Sequence, residues 1–214
     1  GQRQAPAPSS VGDIETAPLG EEAHDLIVSA LALQHVDDLP GLLARARRAL
    51  RPDGLFLCAM IGGRSLHELR GCLAQAEDET RGGASPRVAP FVDLRDLGAL
   101  AQRAGFALPV ADVETLTVRY RDMFGLLRDL RAMGATNALR LRGRALTRGL
   151  VARAAQLYAE NHADADGRVR ATFEIVWLSG WAPHDSQPKP LRPGEGRTPL
   201  AQALAAAKAE REQG

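Results

Sequence analysis

The chain has 214 residues, 45% hydrophobic and 25% charged, with 27 basic against 26 acidic side chains and a formal net charge of +1. That is the length of one domain with room for a small insertion, and the near-neutral balance excludes a global field that would draw nucleic acid or a membrane surface. No apolar run reaches the roughly 18 residues of a membrane span, no secretory leader is recognisable, and Cys58 and Cys72 stand outside any zinc-type spacing, so free thiols in a reducing, cytoplasmic setting are expected.

In chain order, residues 1–10 read as a loose segment of Gln, Pro, Ala and Ser, and 11–14 as a short strand end. Residues 25–30 form a continuous apolar run, which predicts a strand buried on both faces. Residues 38–50 predict a helix, because Leu39, Leu42, Leu43, Ala46 and Leu50 recur at helical spacing and Asp37 or Asp38 can cap it. Arg51-Pro52-Asp53-Gly54 reads as a turn, 55–61 as a second buried strand, 65–79 as an amphipathic helix opened by a Ser cap, and 82–90 as a Gly/Pro loop. Residues 93–104 predict a helix closed by Gly105, and 110–120, rich in Val and Thr, a strand. Two helices, 122–133 and 144–161, flank a connection at 134–137; 169–181 alternates as a last strand, with no parallel crossover evident, so an antiparallel strand fits. The Pro-rich stretch 183–199 precedes a terminal helix at 200–212. The domain reading is therefore a loose segment 1–10, a core 11–182 with a helical insertion at about 122–162, and a tail 183–214.

The strand, loop, helix, turn and strand of residues 25–61 make one step of a doubly wound sheet, and ligands of such sheets lie beyond the carboxyl ends of the strands. Ser29 and Ala30 end the first strand there, and Gln34 and His35 begin the loop. His35 is a candidate general base, or a histidine packed at a helix start. Its spacing to Asp37 and Asp38 is not that of a metal site, and no metal is expected. Tyr120 and Arg119 end the penultimate strand, where they could line an acceptor pocket and face an acidic substrate, or simply pack and meet solvent. The run Arg140, Arg142, Arg144, Arg148 and Arg153 is a solvated face or a dock for an acidic partner. Cys58 reads as an inert buried hydrophobe. Trp177 and Trp181 share one strand face as core or edge.

Gly12-Asp-Ile-Glu-Thr-Ala-Pro-Leu19, His24-Asp-Leu-Ile-Val-Ser29 and Leu50-Arg-Pro-Asp-Gly54 resemble the middle of class I S-adenosylmethionine-dependent methyltransferases of type 11. Leu127-Arg-Asp-Leu-Arg-Ala-Met-Gly-Ala-Thr-Asn137 and Ala171-Thr-Phe-Glu-Ile-Val176 resemble the malonyl-acyl-carrier-protein methyltransferase of biotin synthesis. They look still more like the methyltransferase-like assembly factors of respiratory complex I, which residues 83–91 and 187–194 also fit. The resemblance covers roughly residues 12–195. It implies an α/β, Rossmann-like sheet of seven strands with a helical insertion and an antiparallel last strand. It implies S-adenosylmethionine across the carboxyl ends of the central strands, with the Asp13 carboxylate accepting from the adenine amino group, Ile14 flanking the ring, the backbone of Ser29 and Ala30 facing the crevice, and Gln34 opening the adjoining loop. The family's glycine-rich loop and the acidic residue ending its second strand have no counterpart in this sequence. The first strand or strands are therefore expected to be missing, and cofactor binding by these residues alone to be weak.

Three functions follow from the resemblance. One is methyl transfer to a small-molecule or acyl-carrier-protein acceptor. Another is an assembly factor that modifies an arginine of a respiratory-chain subunit by hydroxylation. The third is a non-catalytic binding module that keeps the back half of the fold. A bacterial cytoplasmic location is expected, with a homodimer left open.

Overall fold

A computed structural model describes residues 12–137, 139 and 143–188. The expected loose segment 1–10, the terminal helix at 200–212 and the residues Arg140 and Arg142 lie outside the described residues. The chain divides into a unit Gly1–Pro183 and a second unit His184–Gly214; every element below belongs to the first.

Four strands form one sheet: β1 (His24–Ala30), β2 (Leu50–Ile61), β3 (Ala107–Tyr120) and β4 (Val169–Trp181), in the order β1-β2-β4-β3. β1 and β2 run parallel, and β4 is antiparallel to both β2 and β3. The last strand in sequence is thus inserted between two earlier ones and reverses the sheet direction there, as the resemblance implied.

Helix α1 (Leu39–Ala49) is capped by Asp38, whose carboxylate accepts from the Gly41 amide at 2.9 Å. With Pro40 in its first turn it is preorganised as a helix start. Helix α3 (Leu94–Arg103) begins the same way at Asp93, and the chain leaves it through Gly105 at φ +86°, a left-handed position that glycine occupies without strain. Both helices lie on one sheet face, where Leu42, Leu43, Leu97 and Ala101 meet Phe56, Cys58, Met60, Val176 and Leu178. Phe106 fills the gap above Gly180, where an added Cβ would stand 2.9 Å from the Phe106 Cβ.

Helices α2 (His67–Arg81), α4 (Met123–Ala132) and α5 (Arg148–His162) build a second core against the start of β4, around Leu69, Cys72, Leu126, Leu150, Tyr158 and Ala171. α4 and α5 are the helices expected at 122–162. α5 starts at Thr147, whose hydroxyl accepts from the Leu150 amide. Its first turn is therefore about one turn later than the hydrophobic pattern suggested. Tyr158 is fully buried, and its hydroxyl donates to the Arg170 carbonyl at 2.8 Å. Burial, and then the nearby Glu68, push its phenol well above the ordinary value.

Four local expectations are corrected. β1 is not buried on both faces: Leu26 and Val28 are 53% and 61% exposed, because among the described residues only one face of β1 is covered by a helix. The short apolar run fixed the strand but carried no information on what lies over it. Residues 51–54 do turn, but inside β2, as a bulge across which the register jumps from His24↔Leu50 to Leu26↔Leu55, with Asp53 at φ +62°. Ser65 does not cap α2. Leu66 occupies the cap at φ +55° with no side-chain bond, while Ser65 is turned inward, its Oγ accepting from the Glu174 amide at 2.9 Å. Residues 12–14, expected at a strand end, form the start of a turn instead.

The sheet face opposite α1 and α3 is bare among the described residues. Val28, Leu57 and Val110 align across it in register with Ser179, and Trp177, 49% exposed, stands beside them. Trp177 thus lies on the bare side of the sheet among the described residues.

Candidate functional site

Strand directions bring the carboxyl ends of β1, β2 and β3 to the same end of the sheet as the amino end of β4. At the end of β1 the chain passes Ser29 and Ala30 into Leu31, which holds φ +52° while its amide donates to the Ala59 carbonyl at 2.8 Å. A left-handed leucine costs on the order of 1 kcal/mol, a strain found disproportionately at ligand-facing turns. A single 3-10 turn, Leu33–His35, follows. Gln34 donates from Nε2 to the Leu31 carbonyl at 2.6 Å, which locks the turn onto the strand end. Its Oε1 and the Ser29 Oγ are buried and have no hydrogen-bond partner among the described residues. Buried polar atoms are almost always satisfied, and two orphans at one strand end mark a place where a polar group belongs.

The segment 13–17 is docked beside this end by α1. Asp13 closes its own turn, accepting from the Glu15 amide at 2.9 Å through Oδ1 and from the Thr16 and Ala17 amides through its carbonyl. Glu15 Oε1 accepts from the Asp38 amide, at the cap of α1, at 2.7 Å. Arg45, two turns along α1, donates to the carbonyls of Ile14, Glu15 and Ala17. One acid and one arginine, 30 residues apart, thus fasten a loop with no secondary structure of its own and leave Asp13 and Ile14 exposed near the start of α1.

The other candidates are placed differently. His35 is exposed on the 3-10 turn, with its backbone amide on Ala32. Arg119 is held outside, at 2.7 Å from Asp164 and 2.5 Å from Asp166 on the connection between α5 and β4. Tyr120 is half-buried against the α2, α4 and α5 core; burial first, and then Asp129, raise its phenol pKa. Arg153 pairs with Glu79 and Glu160, so this member of the basic run belongs to the α2–α5 contact. Among the described residues no group of three His, Cys, Asp or Glu side chains is arranged to hold a metal, His35, Asp37 and Asp38 included. Cys58 and Cys72 are free and buried, and burial pushes both thiols up to about 11, far from a reactive thiolate.

The sequence reading missed a buried polar hub at the carboxyl end of α2. Glu77 on α2 is 1% exposed. It accepts from Arg87 at 2.5 and 3.2 Å, from Arg81 at 3.0 Å and from the Ser85 amide at 2.9 Å. Arg87 and Arg81 reach on to the carbonyls of Arg144 and Ala145. The hydrogen bond from Arg87 chiefly, opposed by burial and helped by Ser85 and Arg81, holds the Glu77 carboxyl down at about 2. A second missed residue is Glu68, 4% exposed, which accepts from the Thr172 amide and hydroxyl. Both glutamates sit on α2 at positions where a surface charge is the default, and nothing in the local pattern sets them apart.

This sheet, with its reversed strand between β2 and β3, has the Rossmann-like fold of solved methyltransferases. It superposes on the YcgJ protein of Bacillus subtilis and on a methyltransferase-class protein of Bacillus halodurans. Both give a TM-score of 0.51 over 81% of this chain, at 14% and 15% identity, and cover 70% and 76% of those chains. By sequence, residues 1–58 match the methyltransferase domain family. The chain is 40% identical over 196 residues to the mitochondrial arginine-hydroxylase NDUFAF5 of Danio rerio, covering 92% of this chain and 61% of that one. It is also 40% identical over 173 residues to the malonyl-[acyl-carrier protein] O-methyltransferase of Xylella fastidiosa, covering 80% of this chain and 56% of that one. The chain is therefore similar to these two groups, and it spans 61% and 56% of the length of these two relatives. No described helix is long and apolar enough to cross a membrane.

Proposed function

We propose that this chain supplies the adenine side of an S-adenosylmethionine site and works in methyl transfer. The observation that carries the reading is the pair of orphaned buried atoms, Ser29 Oγ and Gln34 Oε1, at the strand end beside the docked Asp13 loop. The residues present fit that end of the cofactor. Asp13 offers a carboxylate to an exocyclic amine, Ile14 an apolar flank to a ring, Ala30 and the strained Leu31 a backbone edge, and Gln34 an unused acceptor. The methyl group of such a cofactor is already activated on its sulfonium, so no strong base is required of the protein. The protein's work is orientation and exclusion of water. Here Arg45 and Glu15 hold the Asp13 loop in register, and the Gln34–Leu31 bond fixes the floor. His35, solvent-facing on the same turn, is placed to take a proton from an acceptor that must lose one. Tyr120 and Arg119 lie at the same sheet end; with Arg119 committed to Asp164 and Asp166, Tyr120 is the better acceptor-side contact.

The acceptor is a small molecule or an acyl group on a carrier protein, in a bacterial cytoplasm, by analogy with the malonyl-acyl-carrier relatives. A second reading has a specific observation behind it: the similarity to the Danio rerio arginine-hydroxylase covers 92% of the chain, that to the Xylella fastidiosa methyltransferase 80%. On that reading the substrate is an arginine of a respiratory-chain protein subunit. The two are separated by incubating the polypeptide that carries this sequence with S-adenosylmethionine and each acceptor class: methyl transfer releases S-adenosylhomocysteine and leaves a methylated acceptor, whereas hydroxylation releases none and adds one oxygen to the arginine, read by mass spectrometry of the acceptor. The cofactor assignment itself is tested by Asp13→Ala, which is expected to weaken S-adenosylhomocysteine binding about tenfold, the loss of roughly one charge-assisted hydrogen bond. Unchanged affinity would remove Asp13 from the site.

A further inference from the structure

We propose that the cleft between α2 and the strap 84–91 is a second binding site, for a small carboxylate carried on a short apolar chain, with Arg70 as its anchor. It lies beyond the proposed cofactor contacts: none of Asp13, Ile14, Ser29, Ala30 or Gln34 lines it. The cleft, about 530 Å³, opens next to Gly63, just past the carboxyl end of β2, and its apolar walls are Ala74, Val88, Pro90 and Phe91.

The polar groups of this cleft are not equivalent. Ser85 and Arg87 are spent, because the Ser85 amide and hydroxyl and the Arg87 guanidinium all bind Glu77. Arg70 is not. It has no acidic partner among the described residues, and its guanidinium touches only the carbonyls of Gly63, Ser65 and Ala89, at 3.5, 3.3 and 3.4 Å. These contacts are longer than the ordinary N–H···O range, and Nε makes none among the described residues. A half-buried cation in an apolar cleft, held by three long carbonyl contacts and by no carboxylate among the described residues, matches a carboxylate, which it can grip with two short charge-assisted bonds in exchange for them. The single positive charge and the apolar walls favour a monoanion with a hydrocarbon body over an inorganic phosphate, and they disfavour any cationic group. The Glu77 hub gives the strap a fixed shape, so the cleft is preformed and little ordering is required on binding.

Calorimetric titration tests this with hexanoate, its neutral isostere hexanamide, and inorganic phosphate. The folded protein is expected to bind hexanoate at least tenfold more tightly than hexanamide or phosphate. Arg70→Gln is expected to lose that preference, and Arg70→Lys to retain part of it through charge without the fork. Equal binding of hexanoate and hexanamide by the unaltered protein would overturn the proposal, as would an Arg70→Gln variant that melts normally and still prefers hexanoate. Should Arg70→Gln fail to fold, the comparison of the two ligands on the unaltered protein decides alone. None of these titrations needs S-adenosylmethionine, so their failure leaves the cofactor reading standing, and the reverse also holds.

Discussion

Glu77→Gln is expected to destabilise the fold by about 3 kcal/mol, lowering the melting temperature by roughly 6–12 °C. The glutamine keeps the shape and some hydrogen bonding but removes the only acidic partner that Arg87 has among the described residues, and the Arg87 side chain is just 10% exposed. A buried guanidinium without its carboxylate is the costly half of a broken ion pair. The effect should spread, since Arg87 and Arg81 also tie down the carbonyls of Arg144 and Ala145 ahead of α5. The acid dependence follows with a definite sign. The folded-state value of about 2 lies below the ordinary carboxyl value of 4.5. Glu77 therefore contributes its full stabilisation above about pH 5, and this is lost progressively as pH falls from there toward 2. Thermal melts from pH 7 to pH 2 should show the unaltered protein losing stability over that window more steeply than the variant. A loss below about 1 kcal/mol with identical acid profiles would mean that the hub is not structural.

Gly62→Ala is the second large effect. An added Cβ would stand 2.6 Å from Val176 Cγ2 and 2.7 Å from Glu174 Oε2. Val176 is fully buried in the main core, so it has no room to retreat. Glu174 is equally fixed, since its carboxylate accepts from the Arg64 amide at 3.1 Å and its carbonyl from Gly62 itself at 2.8 Å. Overpacking of this kind costs about 1–3 kcal/mol, and here it also dislodges the turn that leads from β2 into α2. Gly71→Ala is the control: nothing lies within 4 Å of its would-be Cβ, and a glycine inside a helix gives way to alanine with a gain of about 0.5–1 kcal/mol. Denaturant unfolding of the two variants should move the midpoint in opposite directions; a neutral Gly62→Ala would contradict the close packing of β2 on β4.

What could be read in the sequence was what neighbouring residues decide together. The Asp38 cap and Leu42, Leu43 and Ala46 set α1; strict alternation set β4 at 169–181; Gly105 closed α3. What could not be read was what distant residues decide. The position of β4 between β2 and β3 depends on pairings such as Val176↔Met60 and Val176↔Val113, which no local pattern encodes. The exposure of Leu26 and Val28 depends on what covers the sheet. Glu77 and Arg87 are ten apart across Gly82 and Gly83, a spacing that suggests no contact until the loop folds back. The candidate site divides in the same way. Family resemblance pointed to Ser29, Gln34 and Asp13, but the Glu15–Asp38 and Arg45 contacts that dock the Asp13 loop span 23 residues or more and emerge only from the fold. Arg119, by contrast, carried a plausible acid-binding role in sequence and is paired with Asp164 and Asp166 in the structure.

In the proposed function the end of β1 and the Asp13 loop receive the adenine end of S-adenosylmethionine. Amide hydrogen exchange with and without saturating S-adenosylhomocysteine, on the polypeptide that carries this sequence, tests it most directly. Slowed exchange confined to residues 13–17 and 29–36, and abolished by Asp13→Ala, is the predicted result; binding that leaves both segments unprotected would contradict it.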